Sequence, residues 1–422
     1  MEFRDRLARL GSLGSSRTTL PPSERARTLD ELRERMRALL GRSEGEAETT
    51  PVERFDATRS NLPFREYATA LGTVCRRFQR LGASHHVGRI PVDAAASAEP
   101  EMLGLLSLDP ALARCSPAGA LFFDTETTGL GGASGVLAFL VGLAWFDEEG
   151  RLCVEQVLLR SPAEESAMLG HLAERLDAAS FWVTFNGKAF DWPLLRTRYV
   201  MNRMPAPAQR PHLDLLHVSR RLHRARVGRC RLVDVEGEVL GFERCGDIAG
   251  AEVAARYAHF LRTGDESSLT AVVDHNAWDV VSMAALVGLY GEPLGVLHPE
   301  DLVELARALK RAGAAERALA AADRAISSGA RAGGLRMRAL LAKARGDRLK
   351  ALEDFEALSA ELDDPHTRLE LAKLYEHHAR RPLEALEMVR RGTSETAERS
   401  RLRELRLERK LARQARAKPK RP

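Results

Sequence analysis

The chain of 422 residues has no C-x-x-C pair; its five cysteines, Cys75, Cys115, Cys153, Cys230 and Cys245, are scattered and odd in number. That spacing argues against a zinc site or a disulfide scaffold and fits free thiols in a reducing compartment. Long hydrophobic runs are missing too. The longest, 136–146, is far shorter than the ~20 apolar residues a spanning helix needs. Met1-Glu2-Phe3-Arg4-Asp5 opens without an apolar signal segment, so the expectation is a cytoplasmic protein with no membrane partner. Charge of one sign is also scarce overall, with 64 Lys+Arg against 59 Asp+Glu. The balance hides an uneven distribution. Residues 399–422 hold 11 basic and 2 acidic residues, net +9, which leaves the preceding 398 residues at −4.

A chain of this length is expected to hold two or three domains with a sizeable core. Residues 1–60 are rich in Arg, Ser, Pro and Glu. They read as a mostly flexible segment with one helix over 29–40, flanked by linkers at Pro21-Pro22-Ser23 and 41–51. Residues 61–117 read as an extension packed on the domain that follows, with a strand pair over 70–81. The tract Ser84-His85-His86-Val87-Gly88 lies either near a functional face or in an ordinary structural or solvated position.

From 118 to 292 the pattern is mixed α/β. Strands are expected over 121–124, 135–146 and 152–159, the second central because it is apolar throughout. A helix over 161–178 has Ser161 at its cap, Pro162 first in the helix, and Glu164 and Glu165 in its first turn. A strand over 181–185, a helix over 191–199 and a strand over 212–216 follow. Residues 220–270 read as helical and polar, with a loop at Gly246–Gly250. Beyond Pro293 the composition turns to Ala, Leu, Arg and Glu with a helical period. Ala318-Leu319, Ala351-Leu352 and Ala385-Leu386 recur 33 and 34 residues apart, each after a helix holding Leu305-Ala306, Ala339-Leu340 or Leu371-Ala372. Over 296–394 this resembles tetratricopeptide repeats, which implies a protein partner on the array or a buttress for the catalytic domain. The alternative is an unrelated Ala-rich bundle. A basic tail, 395–422, is expected to hold nucleic acid non-specifically or to act as a solvated tail.

Three acidic stations carry the chemistry. In Leu121-Phe122-Phe123-Asp124-Thr125-Glu126-Thr127-Thr128-Gly129 an apolar strand ends in two carboxylates at i and i+2, which project to one side of an extended chain. Two like charges held that close call for a hard divalent ion between them. Phe185-Asn186-Gly187-Lys188-Ala189-Phe190-Asp191 leads from a strand through a polar turn to a helix that starts at Asp191. His275-Asn276-Ala277-Trp278-Asp279 lies on a helix, where His275 and Asp279 share a face. Asp214 and Asp274 are nearby carboxylates better suited to caps or turns.

These three stretches resemble the ribonuclease-H-like superfamily and, within it, the DEDD 3′–5′ exonucleases, in particular the bacterial YprB-like family of predicted exonucleases. FDTETTGL is similar to the first exonuclease motif, FNGKAFD to the second and HNAWDVVS to the third, together covering roughly 118–290. The resemblance implies a mixed sheet flanked by helices and hydrolysis of DNA or RNA with two Mg²⁺ or Mn²⁺ ions. It also implies that Asp124, Glu126, Asp191 and Asp279 are the metal ligands. His275 is the implied general base, although it stands four residues before Asp279, where such exonucleases carry Tyr, and not five. That offset turns the side chain by about 100° around the helix, which leaves a substrate-contacting or capping role open. Thr127, Thr128 and Gly129 are expected to bring backbone amides to the terminal nucleotide. Asn186 and Lys188 lie on the second motif's turn, Lys188 as a phosphate contact or a solvated turn lysine. The same fold hosts structure-specific endonucleases, and a binding scaffold with a vestigial site is the other alternative.

Overall fold

Phe122 and Phe123 are neighbours in the chain and both fully buried, yet they belong to different cores. They sit on a strand with a helical layer on either side, and successive side chains of a strand point to opposite faces. In the computed structural model, residues 64–82, 85–129 and 135–417 are described. The helix expected over 29–40, its flanking linkers, Ser84, Leu130 and the Lys418–Arg421 end lie outside them.

The strands in chain order are β1 (Arg65–Thr69), β2 (Gly72–Arg80), β3 (His86–Val87), β4 (Ile90–Pro91), β5 (Ala120–Thr127), β6 (Ala138–Phe146), β7 (Leu152–Leu158), β8 (Phe181–Thr184) and β9 (His212–Asp214). Seven form one sheet in the order β1-β2-β7-β6-β5-β8-β9, and β3 and β4 pair separately. β7, β6 and β5 are antiparallel, whereas β8 and β9 continue parallel to β5. The expected central place of β6 holds.

Several boundaries differ from the sequence reading. The early strand pair turns at Ala70-Leu71, where Thr69 Oγ1 donates to Gly72 O at 2.7 Å. It does not pack as a separate layer: β2 pairs with β7 from Cys75↔Leu158 to Arg80↔Cys153 and extends the same sheet. β6 begins at Ala138, three residues later than expected. β9 stops at Asp214 because that carboxylate accepts the Leu216 amide and caps the next helix.

The helices are α1 (Pro100–Ser107), α2 (Glu165–Ala178), α3 (Asp191–Met201), α4 (Leu215–Val227), α5 (Gly250–Thr263), α6 (Thr270–Gly291), α7 (Pro299–Arg311), α8 (Ala315–Ser328), α9 (Arg331–Ala344), α10 (Arg348–Glu361), α11 (Pro365–Leu374), α12 (Pro382–Arg390) and α13 (Ala397–Ala417). One sheet face packs Phe122, Val183 and Leu213 against Met283 and Leu286 of α6. The other packs Phe123, Leu143 and Trp182 against Leu169 and Leu172 of α2. α7 to α13 pack each against the next. Ala318, Ala351 and Ala385, the recurring positions, are all fully buried, so their small side chains let successive helices approach closely.

The array does not have a core wholly of its own. Leu302, Leu305 and Ala321 share the core of Leu222, Leu286 and Tyr290. A buried polar group spans the same contact: His223 Nδ1 lies 2.9 Å from Asp301 Oδ2, and Arg226 Nη2 lies 2.7 Å from it. The basic tail is not an open arm as far as Ala417. Leu407 of α13 is fully buried and Leu411 packs on the array core, whereas Leu402 and Leu405 are exposed. Arg403, Arg406 and Lys410 all bond Glu376, so these three cations are held against the array. No helix among the described residues is long and apolar enough to cross a membrane.

Candidate metal centre and active site

β5 runs Asp124 and Glu126 past β6, with Asp124 opposite Gly142 and a bulge after Glu126 that ends the regular pairing. α6 lies across β5 and β6. The approach is close at Gly142, where a Cβ would come within 2.4 Å of Asn276 Oδ1. Only glycine leaves room there for the buried Asn276. Its Nδ2 donates to Asp124 Oδ2 at 3.1 Å, and its Oδ1 accepts from Gln156 Nε2 at 3.0 Å. Gln156 is held in turn by Val273 O at 2.7 Å.

The face of α6 beside Asn276 brings the third motif to the first. Ligand atoms of Glu126, His275 and Asp279 lie within 4.8 Å of one another. Asp191 approaches from α3, where its Oδ1 accepts from Thr125 N at 3.0 Å and Thr125 Oγ1 at 2.6 Å. The residue between the two carboxylates of β5 thus anchors the carboxylate of the second motif.

The turn before Asp191 is built tightly. Asn186 takes a left-handed φ of 72°. Asp214 accepts the Asn186 amide at 2.8 Å and the Lys188 amide at 3.2 Å. Gly187 N donates to Thr184 Oγ1 at 3.1 Å, and a Cβ on Gly187 would meet Thr184 at 2.5 Å. Thr184 is bonded at 2.8 Å to His212, whose pKa burial pushes down to about 3, so the ring is neutral. Asp214 is therefore a cap and turn anchor. Lys188 is exposed and Phe190, beside Asp191, is 60% exposed. The expected backbone approach at Thr127–Gly129 is only partly available. Thr128 N donates to Leu137 O at 3.0 Å and Thr127 Oγ1 donates to Gly129 O at 2.9 Å.

The polar stretch between the second and third motifs supplies residues that composition did not reveal. α5 is fixed by Tyr257, which stacks on Phe139 with centroids 4.0 Å apart and donates to Leu159 O at 2.7 Å. The segment before α5 delivers Arg244 and Asp247. Arg244 Nη2 lies 2.5 Å from Asp279 Oδ1, and the same guanidinium forms two 2.7 Å bonds to the buried Glu236. His275 Nδ1 lies 2.5 Å from Asp247 Oδ1 and 3.1 Å from Arg244 Nη1, while Nε2 is 3.7 Å from Asp279 Oδ2. Nothing local marks Arg244, since it is one arginine among many in this chain.

The electrostatics follow from crowding. Burial, then the charges of Asp279, Asp191 and Glu126, hold Asp124 well above the usual carboxylate range. Burial and Asp279 raise Glu126, and burial raises Asp191 despite its Thr125 bonds. Against the downward push of burial, Asp279 and Asp247 hold His275 above its ordinary value. Carboxylates whose charge is this disfavoured suit a cation. Carboxylate oxygens crowded this way suit a hard divalent ion.

Residues 121–290 match the family model of the RNase H superfamily. This segment is similar to the RNase H superfamily. The uncharacterized protein YprB of Bacillus subtilis (strain 168) is 42% identical over 167 residues, which are 39% of this chain and 40% of that protein. The chain thus spans about two-fifths of the length of the curated relative it matches. A family B DNA polymerase from the hyperthermophilic archaeon Pyrobaculum calidifontis overlaps 54% of this chain and 29% of its own, with a TM-score of 0.31 and 16% identity. The RNase H-like fold of this segment places all three motifs around one acidic cluster.

Proposed function

We propose that the RNase H domain hydrolyses phosphodiester bonds of nucleic acid as a 3′–5′ exonuclease dependent on two Mg²⁺ or Mn²⁺ ions. The observation that carries the reading is the meeting of Glu126, His275 and Asp279 beside Asp124, whose charge is disfavoured by three neighbouring carboxylates. Asp124, Glu126 and Asp279 would hold one ion, Asp124 would bridge to a second, and Asp191 would complete that site. Such ions neutralise phosphate charge and lower the pKa of water.

The chain's own groups do the rest. Asp247 holds a proton on His275 Nδ1, which leaves Nε2 to accept one from the attacking water. Asn276 and Thr125 orient Asp124 and Asp191 through hydrogen bonds, as outer partners of metal ligands do. Lys188 contacts a phosphate beside the site, and Asn186 shapes the turn that presents it. A vestigial site is the weaker reading, because all four carboxylates are present and Asn276, Thr125 and Arg244 hold Asp124, Asp191 and Asp279 in place. The array beyond α8 is read as a tetratricopeptide-like surface for a protein partner, with α7 and α8 as its buttress on the nuclease. End-labelled single- and double-stranded DNA and RNA, incubated with Mg²⁺ or Mn²⁺, test the main reading. A ladder shortening from the 3′ end is expected. No cleavage of any of them, or cleavage undiminished in excess EDTA, would overturn it.

A further inference from the structure

Next to the Asn186 turn, α4 and the segment after it wall a cavity of ≈670 Å³. Its lining holds Arg220, Arg224, Arg229 and Arg231 with Phe185 and Asn186, and no carboxylate. Arg231 is matched by Asp234, at 2.9 and 2.6 Å. Arg220, Arg224 and Arg229 are exposed and have no ion pair among the described residues. That sets them apart from their neighbours: Arg226 is paired to Asp301 and Arg244 to Glu236. Arg220 and Arg224 stand four apart on α4, a like-charge spacing that weakens a helix. The carbonyl end of the helix accounts for Arg224, but not for Arg220 or for Arg229 beyond the helix. The unpaired charge leaves this wall of the cavity cationic.

The cavity borders the second-motif turn at Asn186, which shares that turn with Lys188 and lies five residues before Asp191. A second cavity of ≈720 Å³ also borders Arg229 and reaches Arg244 and Asp247 beside His275, but its charged lining is mostly acidic, with Asp234, Glu236, Glu238 and Glu243 as well. Of the two cavities, the arginine one is the more attractive to a polyanion. The space has the size of a small-ligand pocket, and half-buried Phe185 adds an aromatic face. Cationic groove plus aromatic side chain is the combination that holds single strands.

We propose that this arginine cavity binds the backbone phosphates of a single nucleic-acid strand and sets its path into the acidic site. The proposal rests on the nuclease reading above, and binding without turnover separates the two. Full-length Asp124→Asn protein in EDTA would be titrated with fluorescein-labelled oligothymidylate and oligouridylate across a salt series. In that background the triple variant Arg220→Gln, Arg224→Gln, Arg229→Gln is expected to lower the salt slope by about 2, since each single-strand phosphate contact is worth roughly 0.7. Affinity at low salt should fall by roughly tenfold or more. The corresponding triple Lys variant should keep the slope and guards against misfolding. Removing the exposed Arg399, Arg401 and Arg409 of α13 takes away the same charge elsewhere and should leave the slope unchanged. Equal slopes for the parent and the glutamine variant would overturn the proposal, as would an equal fall in the α13 variant. Wild type that cleaves while the glutamine variant binds normally would leave the nuclease standing and the cavity refuted. Wild type that never cleaves, with the slope still lost in the glutamine variant, would support the cavity and refute the nuclease.

Discussion

Asn276 Nδ2 lies 3.1 Å from Asp124 Oδ2, and this contact exists because the residue facing Asp124 on β6 is Gly142. The first and third motifs are thus joined through a side chain that is neither a carboxylate nor the histidine beside it. Replacing Asn276 with Ala removes the donor to Asp124 and leaves Gln156 Nε2 with only Val273 O. Loss of such an outer partner costs about 10–100-fold in metal affinity or activity. Gly142→Ala should act in the same direction by pushing Asn276 away, with a smaller effect if the amide swings aside. Titration of activity against Mn²⁺ for both variants checks this; unchanged Mn²⁺ dependence in Asn276→Ala would make the contact purely structural.

Asp124 itself is tested by charge removal without change of shape. Asp124→Asn should abolish hydrolysis while the metal-free fold melts at or above the wild-type temperature, because a carboxylate crowded by Asp279, Asp191 and Glu126 is relieved of its charge. Wild type should gain stability with added Mn²⁺ by mass action, and the variant should gain little. Equal Mn²⁺-induced shifts in the two proteins would take Asp124 out of the metal site.

How much of this was legible in the sequence depends on the distance over which each residue acts. Asp124 and Glu126 were readable because a strand puts i and i+2 on one side, and His275 and Asp279 because a helix puts i and i+4 on one face. The burial of Ala318, Ala351 and Ala385 was readable from their recurrence. Arg244, Asp247 and Asn276 were not, because their roles come from tertiary contacts with no local period. The addition of β1 and β2 to the sheet edge was hidden for the same reason: strand pairing at long range leaves no mark on either strand alone. The docking of α13 was hidden as well, because charge counted along the chain ignores Glu376, which draws in three cations of that helix.

His275 separates two chemistries. As a general base it should cost about two to four decades of turnover when changed to Ala, with strand binding little altered. As a ligand it would instead raise the Mn²⁺ concentration needed for half-maximal rate, a possibility the proximity of Glu126, His275 and Asp279 keeps in play. Asp247→Asn distinguishes them further, since it loosens the Nδ1 partner without touching the carboxylates of β5. A His275→Ala enzyme with both wild-type turnover and wild-type Mn²⁺ requirement would leave the residue a capping role only.

Glu376 gives a pH dependence with a defined sign. Against the upward push of burial, Arg406 and Lys410 hold its carboxyl down to about 2. Arg403 adds a third cation, with Nη1 at 2.9 Å. A depressed acid stabilises the fold above its unfolded pKa, about 4.3 for Glu. That contribution fades as pH falls from there through about 2. The wild-type helix α13 should therefore stay docked at pH 7 and loosen below pH 4. Glu376→Gln leaves three cations facing a neutral amide, so it should lower the melting temperature at pH 7 and expose α13 to limited proteolysis. The stability difference between the two proteins should be largest at neutral pH and shrink towards pH 2. A difference that stays constant across that range would mean the Glu376 charge does not hold the helix.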